Sequence, residues 1–163
     1  MADTLPPPYS AFRFEVTFTP DAERRVKRET SMAESEKMGF SEVTGLMMEV
    51  ELVEYRGGAD LQFSTHKQPG LRKYSNVTLK RGIAPRESGN GLFEWYNAVS
   101  VGFAERRDVT VSLLNEEREP VMTWKIKEAW PVKLEGPGLK STGTDVAIET
   151  VEFACEGIQI ETG

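Results

Sequence analysis

The sequence holds one cysteine, Cys155, and one histidine, His66, in 163 residues. A single cysteine excludes an intramolecular disulfide framework and a multi-cysteine zinc site. A single histidine removes most Ser–His–Asp, Cys–His and multi-histidine metal schemes. Long uncharged apolar runs are missing, and mean hydropathy is -0.42, so no transmembrane helix is predicted. The opening residues, Met1-Ala-Asp-Thr-Leu-Pro-Pro-Pro8, have neither a basic nor an apolar stretch, so no secretory signal is expected. Basic charge is in deficit. The net charge of -6 disfavours the electrostatic grip that basic proteins have on nucleic acid. What remains is ordinary for one globular domain, with 39% hydrophobic and 28% charged residues. These figures predict a soluble, non-catalytic domain of a reducing compartment, with no cofactor or metal.

Periodicity divides the chain into a Pro-rich lead-in, residues 1–9, and a single β domain, 10–163. Phe12, Phe14, Val16 and Phe18 alternate with polar residues and read as a half-buried strand stopped by Pro20. Residues 21–38 are charged and poor in apolar side chains, which reads as a solvated loop or short exposed helix. From Phe40 to Tyr55 a second strand region is broken at Gly45, with Leu46, Met48, Val50 and Leu52 on one face and Met47, Glu49, Glu51 and Val53 on the other. Residues 59–74 read as a connector turning at Pro69-Gly70, and Asn76–Arg81 as another strand. Asn90 is positioned to cap a helix whose apolar face is Leu92, Trp95, Tyr96, Val99 and Phe103, ending near Gly102. Strands resume at Val109–Leu113 and Val121–Trp130, with Pro131 as a breaker. In the last region, Val146–Ile160, apolar residues slip phase twice, which predicts β-bulges near Thr150 and Gly157. The expected fold is mostly β: an antiparallel barrel or sandwich with one packed α-helix.

No catalytic constellation stands out. His66 reads as a solvated loop histidine and Cys155 as a small core residue. Glu49 with Glu51, and Glu149 with Glu152 if a bulge lies between them, are paired carboxylates, but no electrophile or orienting partner accompanies them. Ser88-Gly-Asn-Gly91 precedes a helix but lacks the phosphate-loop pattern.

One ordered set of motifs is more informative. It runs Phe12-Arg-Phe-Glu-Val16, Gly39-Phe-Ser-Glu-Val-Thr-Gly-Leu46, Glu51-Leu-Val-Glu-Tyr-Arg-Gly57, Pro69-Gly-Leu71 and Asn76-Val-Thr-Leu-Lys-Arg-Gly82. It continues through Trp95, Arg107-Asp-Val-Thr-Val111, Trp124, Ala129-Trp-Pro-Val-Lys133, Gly136-Pro137 and Val146-Ala-Ile-Glu149. This order resembles the tail tube proteins of contractile phages and of extracellular contractile injection systems, over roughly residues 10–160.

The resemblance implies a hexameric ring with a continuous inner β-barrel, rings stacked into a hollow tube, and a structural rather than enzymatic role. Implied partners are a sheath around the tube, baseplate or hub and terminator or cap proteins at its ends, and an effector protein or DNA as cargo. No sequence-specific nucleic-acid binding is implied. Assembly is expected in a bacterial cytoplasm, in a phage tail or tail-like particle that is either released or membrane-anchored. On this reading Glu49, Glu51, Glu149 and Glu152 face the lumen as an acidic wall, and Leu71 and Tyr74 lie in a ring-stacking loop. The basic patch Arg24, Arg25, Lys27 and Arg28 faces the sheath or a ring-to-ring contact. Leu92, Trp95, Tyr96 and Val99 pack the helix on the core. The segment 21–38 departs from the family pattern as an insertion. The alternatives are a tube protein of a DNA-delivering phage and a monomeric ligand-binding β-barrel.

Overall fold

The computed structural model describes residues 6–20, 36–83 and 91–163. In chain order the elements are β1 (Phe14–Pro20), β2 (Glu36–Met38), β3 (Glu42–Thr44), β4 (Met48–Tyr55), β5 (His66–Tyr74), β6 (Val77–Gly82), α1 (Gly91–Asn97), β7 (Arg107–Leu114), β8 (Pro120–Glu135), β9 (Ile148–Ala154) and β10 (Gly157–Thr162). Every pairing is antiparallel. One sheet runs β2-β1-β7-β8-β9-β6-β3, with β10 also on β8, and β4 and β5 form a separate ribbon.

Alternation explains the core. Val16 and Phe18 of β1 lie opposite Val111 and Val109 of β7, and Ile126 of β8 sits between Val109 and Ile158 of β10. Across from them, Val77 and Leu79 of β6 align with Phe153 and Val151 of β9. All are buried, and Leu92 and Trp95 of α1 close the same core. Each such side chain contributes roughly 1.5–3 kcal/mol on burial. Phe153 packs 5.1 Å from Trp95, and Phe18 stands edge-on to Trp95 at 6.0 Å, centroid to centroid. Offset and edge-on contacts of this kind suit the ring quadrupoles.

The length of β8 organises the domain. Its first half pairs with β7 and β10, and its second half with β9. Three register shifts fall on it, each inserting an extra β8 residue: one beside Leu113–Leu114, one beside Arg107–Val109 and one between Pro131 and Lys133. Bulges bend and twist a strand, so β8 turns the corner between the two halves of the core. At the second bulge Glu128 takes φ 54°. Its amide donates to Asp108 Oδ1 at 3.2 Å, and Lys127 Nζ donates to Asp108 Oδ2 at 2.8 Å.

Several sequence expectations change. Pro131 does not stop the strand: it is buried opposite Phe153, at the third bulge, where a missing N–H is tolerated. Residues 66–74 are not a connector but strand β5, with Pro69-Gly70 inside it. The register of β9 is unbroken from Ile148 to Phe153, so there is no bulge at Thr150. The phase slip arises because Val146 and Ile148 are exposed while Val151 and Phe153 are buried. The second slip is a true break, where β9 ends and β10 crosses to β8. The helix stops at Asn97, and Val99 lies beyond it. Ser100 and Phe103 then exchange N–H···O bonds of 2.9 and 3.0 Å, reversing the chain through Gly102 at φ 78°. Asn90 and the patch Arg24, Arg25, Lys27 and Arg28 lie outside the described residues.

Candidate assembly surface

Strands β4 and β5 form an arm. Every residue of β4 is exposed, and only Tyr74 of β5 is partly covered. One face carries Met48, Val50 and Leu52, opposite Tyr74, Arg72 and Pro69; the other carries Glu49, Glu51, Val53 and Tyr55, with Lys73, Gln68 and His66 across from them. Half or more of the surface of Val50, Leu52, Tyr55 and Leu71 is open. A two-stranded ribbon with apolar side chains on both faces has no core of its own, and an exposed patch of this kind marks an interaction site.

The arm is nonetheless rigidly built. At its base Gly45 adopts φ 87°, and a Cβ there would lie 2.2 Å from Asn76 O. Ser75 Oγ donates to Gly45 O at 2.5 Å, and the Ser75 amide donates to Met47 O at 3.2 Å. The Cys155 thiol donates to Ser75 O at 3.6 Å. Burial pushes that thiol's pKa up, against a smaller lowering by its bond with Gly157. Midway, Gly70 and Leu71 together oppose Glu51 in a bulge, where a Cβ on Gly70 would meet Glu51 O at 3.0 Å. At the tip Asp60 Oδ2 accepts the Gly57 amide at 2.9 Å and lies 3.4 Å from His66 Nε2. Arg56 Nε donates to Gln62 O at 3.2 Å. These bonds fix a loop whose Leu61 and Phe63 are 99% and 98% exposed.

The expected acidic set does not gather in one place. Glu49 and Glu51 are on one face of the arm, with Glu51 3.7 Å from Lys73. Glu152 projects from the outward face of β9 and accepts Asn76 Nδ2 at 2.8 Å. Glu149 is on the opposite, inward face of β9, buried, its Oε2 2.7 Å from Arg81 Nη2 and 2.8 Å from Arg81 Nε. Without the expected bulge, Glu149 and Glu152 cannot share a face. Leu71 and Tyr74 do lie together on β5, in the arm. Leu92 and Trp95 pack the helix on the core, whereas Tyr96 is 38% exposed. Sequence reasoning missed the roles of Arg56, Asp60 and Ser75; the signal available was an Asp two residues after Gly58, in a turn-forming cluster.

A mostly β domain whose edge strands are unpaired among the described residues, and which carries an exposed apolar arm, has surfaces suited to a larger assembly. The chain matches the family of T4-like virus tail tube protein gp19 over residues 10–159, and it belongs to that family. It is a structural tube subunit. A chain of the sheath–tube complex of an extracellular contractile injection system, PVC, in its extended state is 27% identical, with TM-score 0.78, covering 96% of this chain and 93% of that one. A chain of the PVC sheath/tube terminator is 28% identical, with TM-score 0.79 and coverages of 97% and 99%. A chain of the anti-feeding prophage tube-terminating cap is 27% identical, with TM-score 0.81 and full coverage of both. A sequence comparison with curated proteins finds no match.

Proposed function

We propose that this chain builds the inner tube of a contractile injection particle, six copies closing each ring and rings stacking through the arm. The observation that carries this is the rigid arm, with exposed apolar side chains on both faces and no residue in the buried core. A closed ring needs one heterologous contact whose rotation closes, and a stack needs a second that stays open. Open sheet edges suit the first contact, since pairing them with a neighbour removes an aggregation hazard. The arm suits the second.

Partners follow from the company the fold keeps. Similar chains come from a sheath–tube complex, a terminator and a cap. This chain accordingly takes a sheath outside and a baseplate or hub and a cap at the ends, and it holds an effector protein or DNA in its lumen. Its role is mechanical rather than catalytic, and the particle assembles in a bacterial cytoplasm. Glu49, Glu51 and Glu152 are the remaining lumen candidates.

Light scattering and negative-stain electron microscopy of the purified chain test the reading. Six-fold rings or hollow tubes are expected. A monomer at every concentration, still solitary beside baseplate and sheath partners, would overturn it in favour of a ligand-binding barrel.

A further inference from the structure

Strands β3 to β6 are two halves of one longer hairpin. Glu42 lies opposite Lys80 and Thr44 opposite Thr78. Met48 lies opposite Tyr74 and Val50 opposite Arg72. No residue is gained or lost on either strand between these pairs, and the Ser75 amide donates to Met47 O at 3.2 Å, so the ladder runs on past Gly45. The arm is therefore the projecting half of a ribbon whose base belongs to the main sheet. The far side of β6 is taken by β9. The far side of β3 and β4 has no strand on it among the described residues, so one free edge extends over residues 42–55.

The two edges of the projecting half differ. Proteins blunt an exposed edge with proline, lysine or a bulge. Strand β5 has all three: Pro69, the bulge that sets Gly70 and Leu71 opposite Glu51, and the cations Lys67, Arg72 and Lys73. Residues 42–55 contain no Pro, Lys or Arg, and the extra residue of the bulge is on β5. Val50, Val53 and Tyr55 of β4 favour a strand and are open to solvent. The other end strands of the main sheet, β2 and β10, are only three and six residues long. A long bare edge is a template for a further strand.

In a tube subunit the chain at hand to supply that strand is a second copy. Pairing β4 with β4 is a two-fold contact that closes as a dimer and goes no further. It would also bring Glu49, Glu51 and Glu54 of the two copies together, and like charges across a strand pair destabilise it. A head-to-tail contact, with β4 of one copy beside a different strand of the next, avoids both.

We infer that the edge over residues 42–55 is the ring seam: a strand of the next copy in the same ring hydrogen-bonds along β4, and the far edge of β5 stays unpaired. The inference rests on the tube reading above. It names the edge that closes the ring, which that reading leaves open, and it keeps the apolar faces of the arm for stacking.

Solid-state NMR of mixed tubes tests it. Tubes are grown from equal parts of two batches of the chain, one labelled only in nitrogen and the other only in carbon, so that short-range nitrogen-to-carbon transfer reports contacts between copies alone. Alternate amide nitrogens of β4 should show transfer to carbonyl carbons of a strand other than β4, as a paired edge requires, and the amides of β5 should show none. Tubes in which β4 shows no transfer, in which β5 shows it, or in which β4 nitrogens reach β4 carbons would each overturn the inference and leave the tube reading standing. Failure of the chain to form tubes would instead remove the tube reading itself.

Discussion

Arg107 lies over the face of Trp95, its Cζ 4.8 Å from the ring centroid, while its Nη2 donates to Glu105 Oε1 at 2.9 Å. Trp95 in turn donates its indole N–H to Glu105 O at 2.7 Å. The three residues tie the helix to the start of β7. Arg107 is 4% exposed, and Lys cannot reproduce its flat, delocalised stacking. Arg107→Ala should therefore destabilise the protein, by less than breaking a fully buried pair because Glu105 is partly exposed, and Arg107→Lys should recover only part of the loss. Denaturant titration of the full chain measures both.

The Arg81–Glu149 pair permits a sharper test. Removing one partner leaves an uncompensated buried charge, so Arg81→Met or Glu149→Leu should cost about 3–5 kcal/mol each. The double variant, with apolar groups of similar volume, should return to within about 1–2 kcal/mol of the starting protein. A double variant as unstable as the sum of the singles would show that the pair contributes nothing specific.

Gly45 controls where the arm points. Its positive φ, and the Asn76 carbonyl oxygen standing where a Cβ would go, leave no room for a side chain. Gly45→Ala should keep the β-rich circular dichroism spectrum, because no fully buried core residue comes from the arm, yet abolish tube formation in the electron microscope. A two-residue turn in place of residues 49–72 should have the same effect.

Cys155 is expected to be a slow nucleophile. Burial holds its thiol above the ordinary value of 9.0, and the thiolate is the reactive form. Alkylation near pH 8 should be several-fold slower than for the unfolded chain. The sign of the pH dependence follows: the unfolded thiol loses its proton first, so this group's contribution to stability is intact below pH 9 and declines as pH rises through the folded pKa. Cys155→Ser should flatten stability above pH 9.

Much of this molecule is written in its periodicity. Val16 with Phe18, Val109 with Val111, and Leu92 with Trp95 sit in the core where alternation and helical spacing put them. Gly45 breaks the second strand region as its sequence suggests. The candidate surface is less legible. Pro69-Gly70 has turn chemistry, but a two-stranded ribbon accommodates Pro69 opposite Leu52 and Gly70 in the bulge beside it. Glu149 reads as a solvated carboxylate because its partner Arg81 is 68 residues away. Such pairings depend on which strands become neighbours, which local spacing does not encode.

Strand β8 has a mechanical consequence. Because one unbroken backbone belongs to both halves of the sheet, pulling on either half loads the other directly through covalent bonds. In native-state hydrogen exchange, amide protons of β1 and β9 are therefore expected to exchange through one common opening. A tube subunit whose two halves share a strand passes load along its backbone as well as through side-chain contacts.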